Sequence, residues 1–210
     1  MFKDNSGPHT GQIPFSQELW RKATHLGALI IPGSYFSFGL TPSQMLAIMI
    51  PVAFLMLLID ISRLRQWAFW RKVAAPIGGR MIRGHEQAGD FTGATYILIS
   101  VCLTVAMYTK PIAIAALTFI IVGDTLAALI GRRFGRHRFG RKSVEGSLAC
   151  LAGTLLVAIL APDIVLPVAI FGAVVAAITE ALSTHIDDNI SVPIVSGLAM
   201  TLLSRILSTA

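Results

Sequence analysis

Residues 123–146 carry the side chains best suited to phosphate chemistry. Asp124 lies inside an apolar segment, and a glycine-punctuated loop rich in Arg and Lys follows it, ending in Ser143 and Glu145. A carboxylate in such a segment is costly in hydrocarbon and usually has a functional reason, while a basic loop can neutralise a polyphosphate. The combination predicts a metal–phosphate site at a membrane surface. The alternative is an ordinary cytoplasmic basic loop beside an aspartate that packs helices.

A first polar stripe stands at the beginning of the first apolar segment. Its members are spaced i, i+3, i+4 and i+7, which places them on one face of a helix that begins near Ser16: Glu18, Arg21, Lys22 and His25. The charged side chains of the stripe therefore lie in a row along one face of the helix, at the point where the helix enters the membrane. For Lys22 alone, a long side chain reaching back to the interface is a sufficient explanation.

A second polar stripe follows the sixth apolar segment. It has the same spacing if that helix continues, and it comprises Glu180, Ser183, Thr184 and Asp187, with Asp188 and Asn189 directly after it. Mg²⁺ is typically held by a few carboxylates together with phosphate oxygens. The acids that the sequence offers for this role are Asp124, Glu145, Asp187 and Asp188. The alternative is a solvated acidic loop.

The composition is that of a membrane protein. Of the 210 residues, 54% are hydrophobic and 13% are charged, and the mean hydropathy is +0.72, which excludes a soluble domain. The apolar blocks are continuous rather than alternating, which indicates helices and not a β-barrel. The prediction is an all-α polytopic fold, with residues 1–22 as a polar interfacial segment and 23–210 as a single transmembrane catalytic domain. About seven spans are predicted: 23–40, 43–60, 91–108, 111–130, 144–161, 164–181 and 190–207.

The distribution of basic residues predicts the topology. Fifteen of the seventeen Lys and Arg residues precede the first span or follow the second and fourth spans, and only Lys110 and Arg205 fall on the other side. The positive-inside rule therefore places the N-terminus and the reactive side chains in the cytoplasm. This predicts a multi-pass protein of the cell (inner) membrane, or of the endoplasmic reticulum or plastid in a eukaryote. Anionic headgroups and a polyphosphate account for the net charge of +6 without nucleic acid.

Four blocks in order resemble the CTP-dependent lipid kinases, a family that includes dolichol kinase, phytol kinase and CTP-dependent diacylglycerol kinase. The resemblance covers roughly residues 18–200. It rests on Glu18-Leu-Trp-Arg-Lys-Ala-Thr-His25, Gly123-Asp-Thr-Leu-Ala-Ala-Leu-Ile-Gly-Arg132, Lys142-Ser-Val-Glu-Gly-Ser147, and Glu180-Ala-Leu-Ser183 with Asp187-Asp-Asn189.

The resemblance implies transfer of the γ-phosphate of CTP to the hydroxyl of a membrane lipid alcohol, with Mg²⁺. In such a reaction the protein mainly positions the reactants and neutralises charge around an in-line transfer. Nucleotide and phosphate binding then fall to Arg21, Lys22, Gly131, Arg132, Arg133, Lys142 and Ser143.

The remaining roles divide among the acids and one histidine. Asp124 is assigned to catalysis and, with Asp187 or Asp188, to the metal, whereas Glu145 either holds the metal or fixes Lys142. The base that accepts the hydroxyl proton is Glu180 or His25, with Glu180 preferred. These assignments require that side chains of several helices converge at headgroup depth.

Two other functions stay open. Phosphatidate cytidylyltransferases look similar over 124–135 and 142–146, but the later Lys-Asp and glycine-rich signatures of that family are absent after residue 146. A non-enzymatic transporter is the alternative of another class, although transporters tend to place ionisable residues at the midplane. The acceptor is an isoprenoid alcohol (polyprenol, dolichol or phytol), which is preferred, or diacylglycerol. A homo-oligomer is possible, since small residues such as Ala149 and Gly153 pack helices within or between chains.

Overall fold

The protein is a bundle of helices with one short β-hairpin. The computed structural model describes residues 15–68, 70–74, 89–140, 142–183 and 186–209. In chain order the elements are α1 (Phe15–Gly27), α2 (Ile30–Ser37), α3 (Pro42–Leu64), a π-helical turn (Trp70–Ala74), α4 (Gly93–Met107), α5 (Lys110–Phe134), β1 (Arg138–Phe139), β2 (Lys142–Ser143), α6 (Val144–Leu160), α7 (Leu166–Leu182) and α8 (Asp188–Thr209).

The helices are those of a membrane protein. Within the described ranges, three helices are long and apolar enough to cross a bilayer, namely α3, α5 and α8. Three apolar helices of 15 to 17 residues accompany them, namely α4, α6 and α7. The all-α membrane class is thereby confirmed. The count of seven spans stays a prediction.

The first predicted span, 23–40, is not one continuous helix. It is divided into α1 and α2 at Ala28 and Leu29, whose N–H groups donate to carbonyls three residues back, each at 3.0 Å. Pro32 explains the break, because proline has no N–H to donate and its ring clashes with the carbonyl four residues earlier. Because α1 begins at Phe15, the predicted segment boundary at residue 22 falls inside a helix.

Helix α5 is the centre of the bundle. In its most apolar stretch 61% of the residues are buried, against 22% in α3 and 28% in α8. Gly123 allows α6 to approach α5 closely, because a Cβ there would lie 2.8 Å from Cys150 Sγ and 3.0 Å from Thr154 Cγ2. This close packing fixes the position of the neighbouring Asp124 relative to α6.

The loop after α5 folds into an antiparallel hairpin, in which Arg138 pairs with Ser143 and Phe139 with Lys142. Gly140 makes the turn at a φ of 60°, a conformation that glycine adopts without strain. Ser143 then caps α6, since its Oγ accepts a hydrogen bond from the Gly146 N–H at 3.1 Å. The hairpin therefore fixes where Lys142 leaves the strand.

A buried ionic network ties α3 to the beginning of α4. Asp60 accepts hydrogen bonds from Arg63 Nε at 2.9 Å, from Thr92 N at 2.7 Å, from Thr92 Oγ1 at 2.9 Å and from Thr95 Oγ1 at 2.7 Å. Arg63 also donates to the carbonyl of Asp90 at 2.5 Å. We call these residues the Asp60 network. Both oxygens of its carboxylate are hydrogen-bonded.

The assumption that the sixth predicted helix continues to Asp187 is wrong. Helix α7 ends at Leu182, and Ser183 turns into an extended conformation with ψ 107°. Asp187 instead caps the next helix, because its Oδ1 accepts from the backbone N–H of Asn189 at 2.9 Å. Aspartate favours this N-cap position over a helix interior, which explains the interruption. Thr184 of the predicted stripe lies outside the described residues.

Candidate active site

The first polar stripe packs against α5, as its spacing predicts. The Lys22 side chain, only 1% exposed, forms an ion pair with Asp124 Oδ2. His25 Nε2 lies 3.3 Å from the same oxygen, without the geometry of a hydrogen bond. Asp124, with 13% of its side chain exposed, thus lies between two groups of α1 and could exchange their contacts for those of a bound ligand.

Glu18 holds two arginines side by side. It pairs with Arg21 one turn later, and its Oε2 lies 3.4 Å from a terminal nitrogen of Arg132 on α5. Two adjacent guanidinium groups form a site suited to phosphate oxygens. Glu18 has no predicted role in the reaction, and its position three residues before Arg21 was the available signal.

Lys142 organises a second group of charges. Its Nζ donates to Glu180 Oε1 at 2.6 Å and to the backbone carbonyl of Glu180, and it lies 3.7 Å from Asp188 Oδ2. The hairpin, the end of α7 and the beginning of α8 therefore meet at one ammonium group. A lysine that lies near two acids can leave them and pair with an incoming phosphate.

The two groups of charges lie within electrostatic range of each other near the beginning of α6. Asp188 acts electrostatically on Lys22, and Asp124 acts on Glu180. Cys150, in the second turn of α6, is within electrostatic range of both groups. The structure therefore brings side chains of α1, α5, α7, α8 and the hairpin into one region, which we call the converging site.

Glu145 lies apart from this arrangement. Its two oxygens accept from the backbone N–H of His137 at 3.2 and 3.3 Å, and Oε1 lies 2.8 Å from the ring Nδ1 of His137. The expectation that Glu145 might fix Lys142 is therefore wrong, because Lys142 is bonded to Glu180. Glu145 instead fastens the base of the hairpin.

Three residues predicted to bind phosphate occupy other positions. Gly131 and Ser143 meet where α5 crosses the beginning of α6, and a Cβ on Gly131 would lie 2.9 Å from Ser143 Oγ. The Arg133 guanidinium lies 5.4 Å from the ring centroid of Phe134. Direct phosphate contacts by these three residues stay predictions.

The donor atoms suit Mg²⁺ only if the substrate contributes ligands. Among the residues that the structure describes, no group of three or more His, Cys, Asp or Glu side chains is arranged to hold a metal. Glu180 Oε2 is nevertheless buried without a hydrogen-bond partner in the described part of the chain. Asp124 lies against Lys22 and His25, and Asp188 lies near Lys142. Carboxylates completed by phosphate oxygens and water are the usual Mg²⁺ environment.

Comparisons with known proteins return lipid kinases. The chain is 42% identical over 87 residues to a phytol kinase of Synechocystis, an alignment that covers 36% of this chain and 37% of that protein. It is 22% identical over 218 residues to CTP-dependent diacylglycerol kinase 1 of Saccharomyces cerevisiae, covering 90% and 74%. An uncharacterized protein of Rickettsia prowazekii is 27% identical over 203 residues, covering 92% and 98%.

No family model matches the chain, and no solved structure matches it. The named relatives confirm the resemblance to the CTP-dependent lipid kinases.

Proposed function

We propose that this homologue of CTP-dependent lipid kinases transfers the γ-phosphate of CTP to the hydroxyl of a membrane lipid alcohol at the cytoplasmic surface. The observation that carries the proposal is the converging site, in which four cations lie close to three buried or partly buried carboxylates. The cations are Arg21, Lys22, Arg132 and Lys142, and the carboxylates are Asp124, Glu180 and Asp188.

The cations would bind the triphosphate. Arg21 and Arg132 are held together by Glu18, so two guanidinium groups are presented in a fixed arrangement. Lys22 and Lys142 are each paired with a carboxylate. When these lysines bind the triphosphate instead, the carboxylates become available to bind a metal ion. Phosphoryl transfer depends mostly on such positioning and on neutralising the charge of the transferred group.

Asp124 and Asp188 are the acids best placed to hold Mg²⁺ beside the phosphates. When bound, the ion would neutralise the charge on the phosphate oxygens. Asp187 and Glu145, which the sequence also assigns to the metal, are engaged with Asn189 and His137. In the proposal Asp187 caps α8 beside the site, and Glu145 fastens the hairpin that carries Lys142.

Glu180 is the proposed base. Its Oε1 is held by Lys142, whereas Oε2 is buried without a hydrogen-bond partner among the described residues and is free to accept a proton. The lipid hydroxyl oxygen forms a bond to the γ-phosphorus, the bond to the β–γ bridging oxygen breaks, and CDP leaves. The hydroxyl proton passes to Glu180 Oε2. His25 is the second candidate, because its Nε2 is also without a hydrogen-bond partner there.

An isoprenoid alcohol is the proposed acceptor, with diacylglycerol as the alternative. The 42% identity to a phytol kinase supports the isoprenoid, while the longer alignment with a diacylglycerol kinase supports the alternative. The choice of CTP over ATP rests on the name of the yeast relative.

A screen of lipid alcohols tests the proposal. Protein purified in lipid nanodiscs is incubated with CTP or ATP and with phytol, a polyprenol or diacylglycerol, and the products are identified by mass spectrometry. We expect a lipid monophosphate and CDP. Asp124→Asn should form no product, whereas Asp163→Asn, in the exposed loop between α6 and α7, should match the unmodified protein. A CDP-lipid would identify a cytidylyltransferase, and solute flux without any lipid product would identify a transporter.

A further inference from the structure

We propose that the hydrocarbon chain of the acceptor lies in an apolar groove between α2, α5 and the end of α6. The inference rests on the proposed function, because it assigns the part of the lipid substrate that does not react. The groove has a volume of about 390 Å³ and continues into a second hollow of about 180 Å³ over the same part of α5. Residues that line the first hollow include Leu29, Gly33, Phe36, Ile114, Thr118 and Leu160.

The groove lies at the depth where a substrate chain must run. Along α5, Thr118 and Ile114 precede Asp124 by six and ten residues. At a rise of about 1.5 Å per residue, they lie roughly 9 and 15 Å from Asp124 toward the other membrane surface. A lipid whose hydroxyl reaches the converging site therefore has the middle part of an extended chain at this level.

The groove also adjoins the converging site. His25 Nε2 lies 3.3 Å from Asp124 Oδ2, so the last turn of α1 contacts the charged region of α5. Leu29, at the near end of the groove, is one helical turn beyond His25. The near end of the groove is therefore close to the charged region in the sequence of α1 and α2.

The lining is chemically suited to hydrocarbon. Its one hydroxyl side chain, Thr118, donates to the carbonyl of Ile114 at 2.7 Å and so offers no unmet donor. Gly33 leaves space, because a Cβ at this position would have no atom within 4 Å. The absence of charge distinguishes the groove from the converging site and suits an alkyl or isoprenyl chain.

A substitution at Gly33 can fill the groove without disturbing the fold. Gly33→Leu points into open space within a helix, and Gly27→Leu is the matched control, because its Cβ also meets no atom within 4 Å and it does not line the groove. We expect Gly33→Leu to raise the KM for a long-chain alcohol by on the order of tenfold. The KM for CTP and the turnover of a short-chain alcohol should not change, and Gly27→Leu should match the unmodified protein.

Equal KM values for the long-chain alcohol in both variants would overturn the proposal, as would an equal loss with the short-chain alcohol. A second measurement does not need turnover: a long-chain alcohol bearing a diazirine is photolysed in nanodiscs, and the labelled peptides are identified. We expect label in 29–36 and 114–118 that excess unlabelled alcohol displaces and that Gly33→Leu reduces. Labelling spread evenly over the exposed face of α8 would count against the groove. If no alcohol is phosphorylated but the groove is labelled, the proposed function fails and the groove remains.

Discussion

Two buried ionic networks in this molecule differ in how completely their polar atoms are satisfied. In the Asp60 network both carboxylate oxygens accept hydrogen bonds, and Arg63 is bonded in turn to the backbone of Asp90. In the converging site, Glu180 Oε2, His25 Nε2 and the neighbouring Asn189 Oδ1 are buried and have no hydrogen-bond partner among the described residues.

In the proposed function, this difference separates a structural network from a functional one. An unsatisfied buried polar group destabilises the fold by about 1–3 kcal/mol, so it persists mainly where another requirement is met. In the proposed function, the substrate meets that requirement in the converging site by supplying hydrogen-bond partners to these atoms. The Asp60 network needs no partner from outside and serves to hold α3 against α4.

The largest effect is expected at Asp124. Asp124→Asn removes the carboxylate that faces Lys22 and His25, and turnover should fall by about 10³-fold or more, because charge stabilisation of this kind is commonly worth that much. Initial rates with saturating CTP and lipid alcohol measure the loss.

A double variant separates catalysis from folding at this position. Asp124→Asn alone leaves Lys22 buried without its counter-ion, which also destabilises the protein. Lys22→Met combined with Asp124→Asn removes both charges, so we expect the thermal unfolding temperature in detergent to recover while turnover stays lost. Recovery of turnover together with stability would show that Asp124 has only a structural role.

At Asp60 we expect a substitution to reduce stability strongly and turnover only slightly. Asp60→Asn leaves Arg63 without its buried counter-ion and should lower the free energy of unfolding by about 3 kcal/mol. Turnover per folded molecule should remain within about threefold of the unmodified protein, since bonding in this network is complete without substrate. Unfolding in a denaturing detergent, with activity normalised to the folded fraction, measures both quantities. Loss of turnover at unchanged stability would place Asp60 in the reaction.

A smaller effect is expected at Lys142. Lys142→Met should raise the KM for CTP by about 10- to 100-fold, as expected for a charged hydrogen bond of about 1.5–3 kcal/mol. Lys142→Arg should recover part of the loss. Lys72→Met, which alters an exposed lysine of the π-helical turn, is the matched control and should leave the KM unchanged. An unchanged KM for CTP in Lys142→Met would show that Lys142 of the hairpin does not bind the nucleotide.

The smallest effect is expected at Glu145. Gln at this position can still accept from the His137 N–H, so Glu145→Gln should keep turnover within about threefold and leave the Mg²⁺ dependence unchanged. Titration of Mg²⁺ at fixed CTP makes the measurement. The contrary result is a rise of tenfold or more in the Mg²⁺ concentration that gives the half-maximal rate, a change on the order of 1.4 kcal/mol. Such a rise would show that Glu145 is a metal ligand.

The sequence predicted what depends on local spacing. The i, i+3, i+4 and i+7 pattern from Glu18 to His25 predicted α1 and the face it presents, because helical periodicity is a property of neighbouring residues. The partner of Lys22, in contrast, lies 102 residues away at Asp124. A pairing over that distance depends on how α1 packs against α5, which spacing alone does not determine.

The sequence failed where backbone hydrogen bonding overrides hydropathy. Pro32 divides an apolar segment that hydropathy joins, and Asp187 caps a helix that periodicity would continue. The Asp60 network was not predicted from the sequence. Its local signal is an Asp and an Arg spaced i, i+3 at the end of an apolar span. Its other partners, Thr92 and Thr95, come from a different helix.

The most direct measurement of the central claim follows the label of CTP. Purified protein in nanodiscs with phytol is given CTP labelled either at the γ-phosphate or at the α-phosphate, and the lipid is extracted and counted. The account predicts label in the lipid from γ-labelled CTP only, in the unmodified protein and not in Asp124→Asn. Label from the α-phosphate, or lipid labelling that persists in Asp124→Asn, would contradict it.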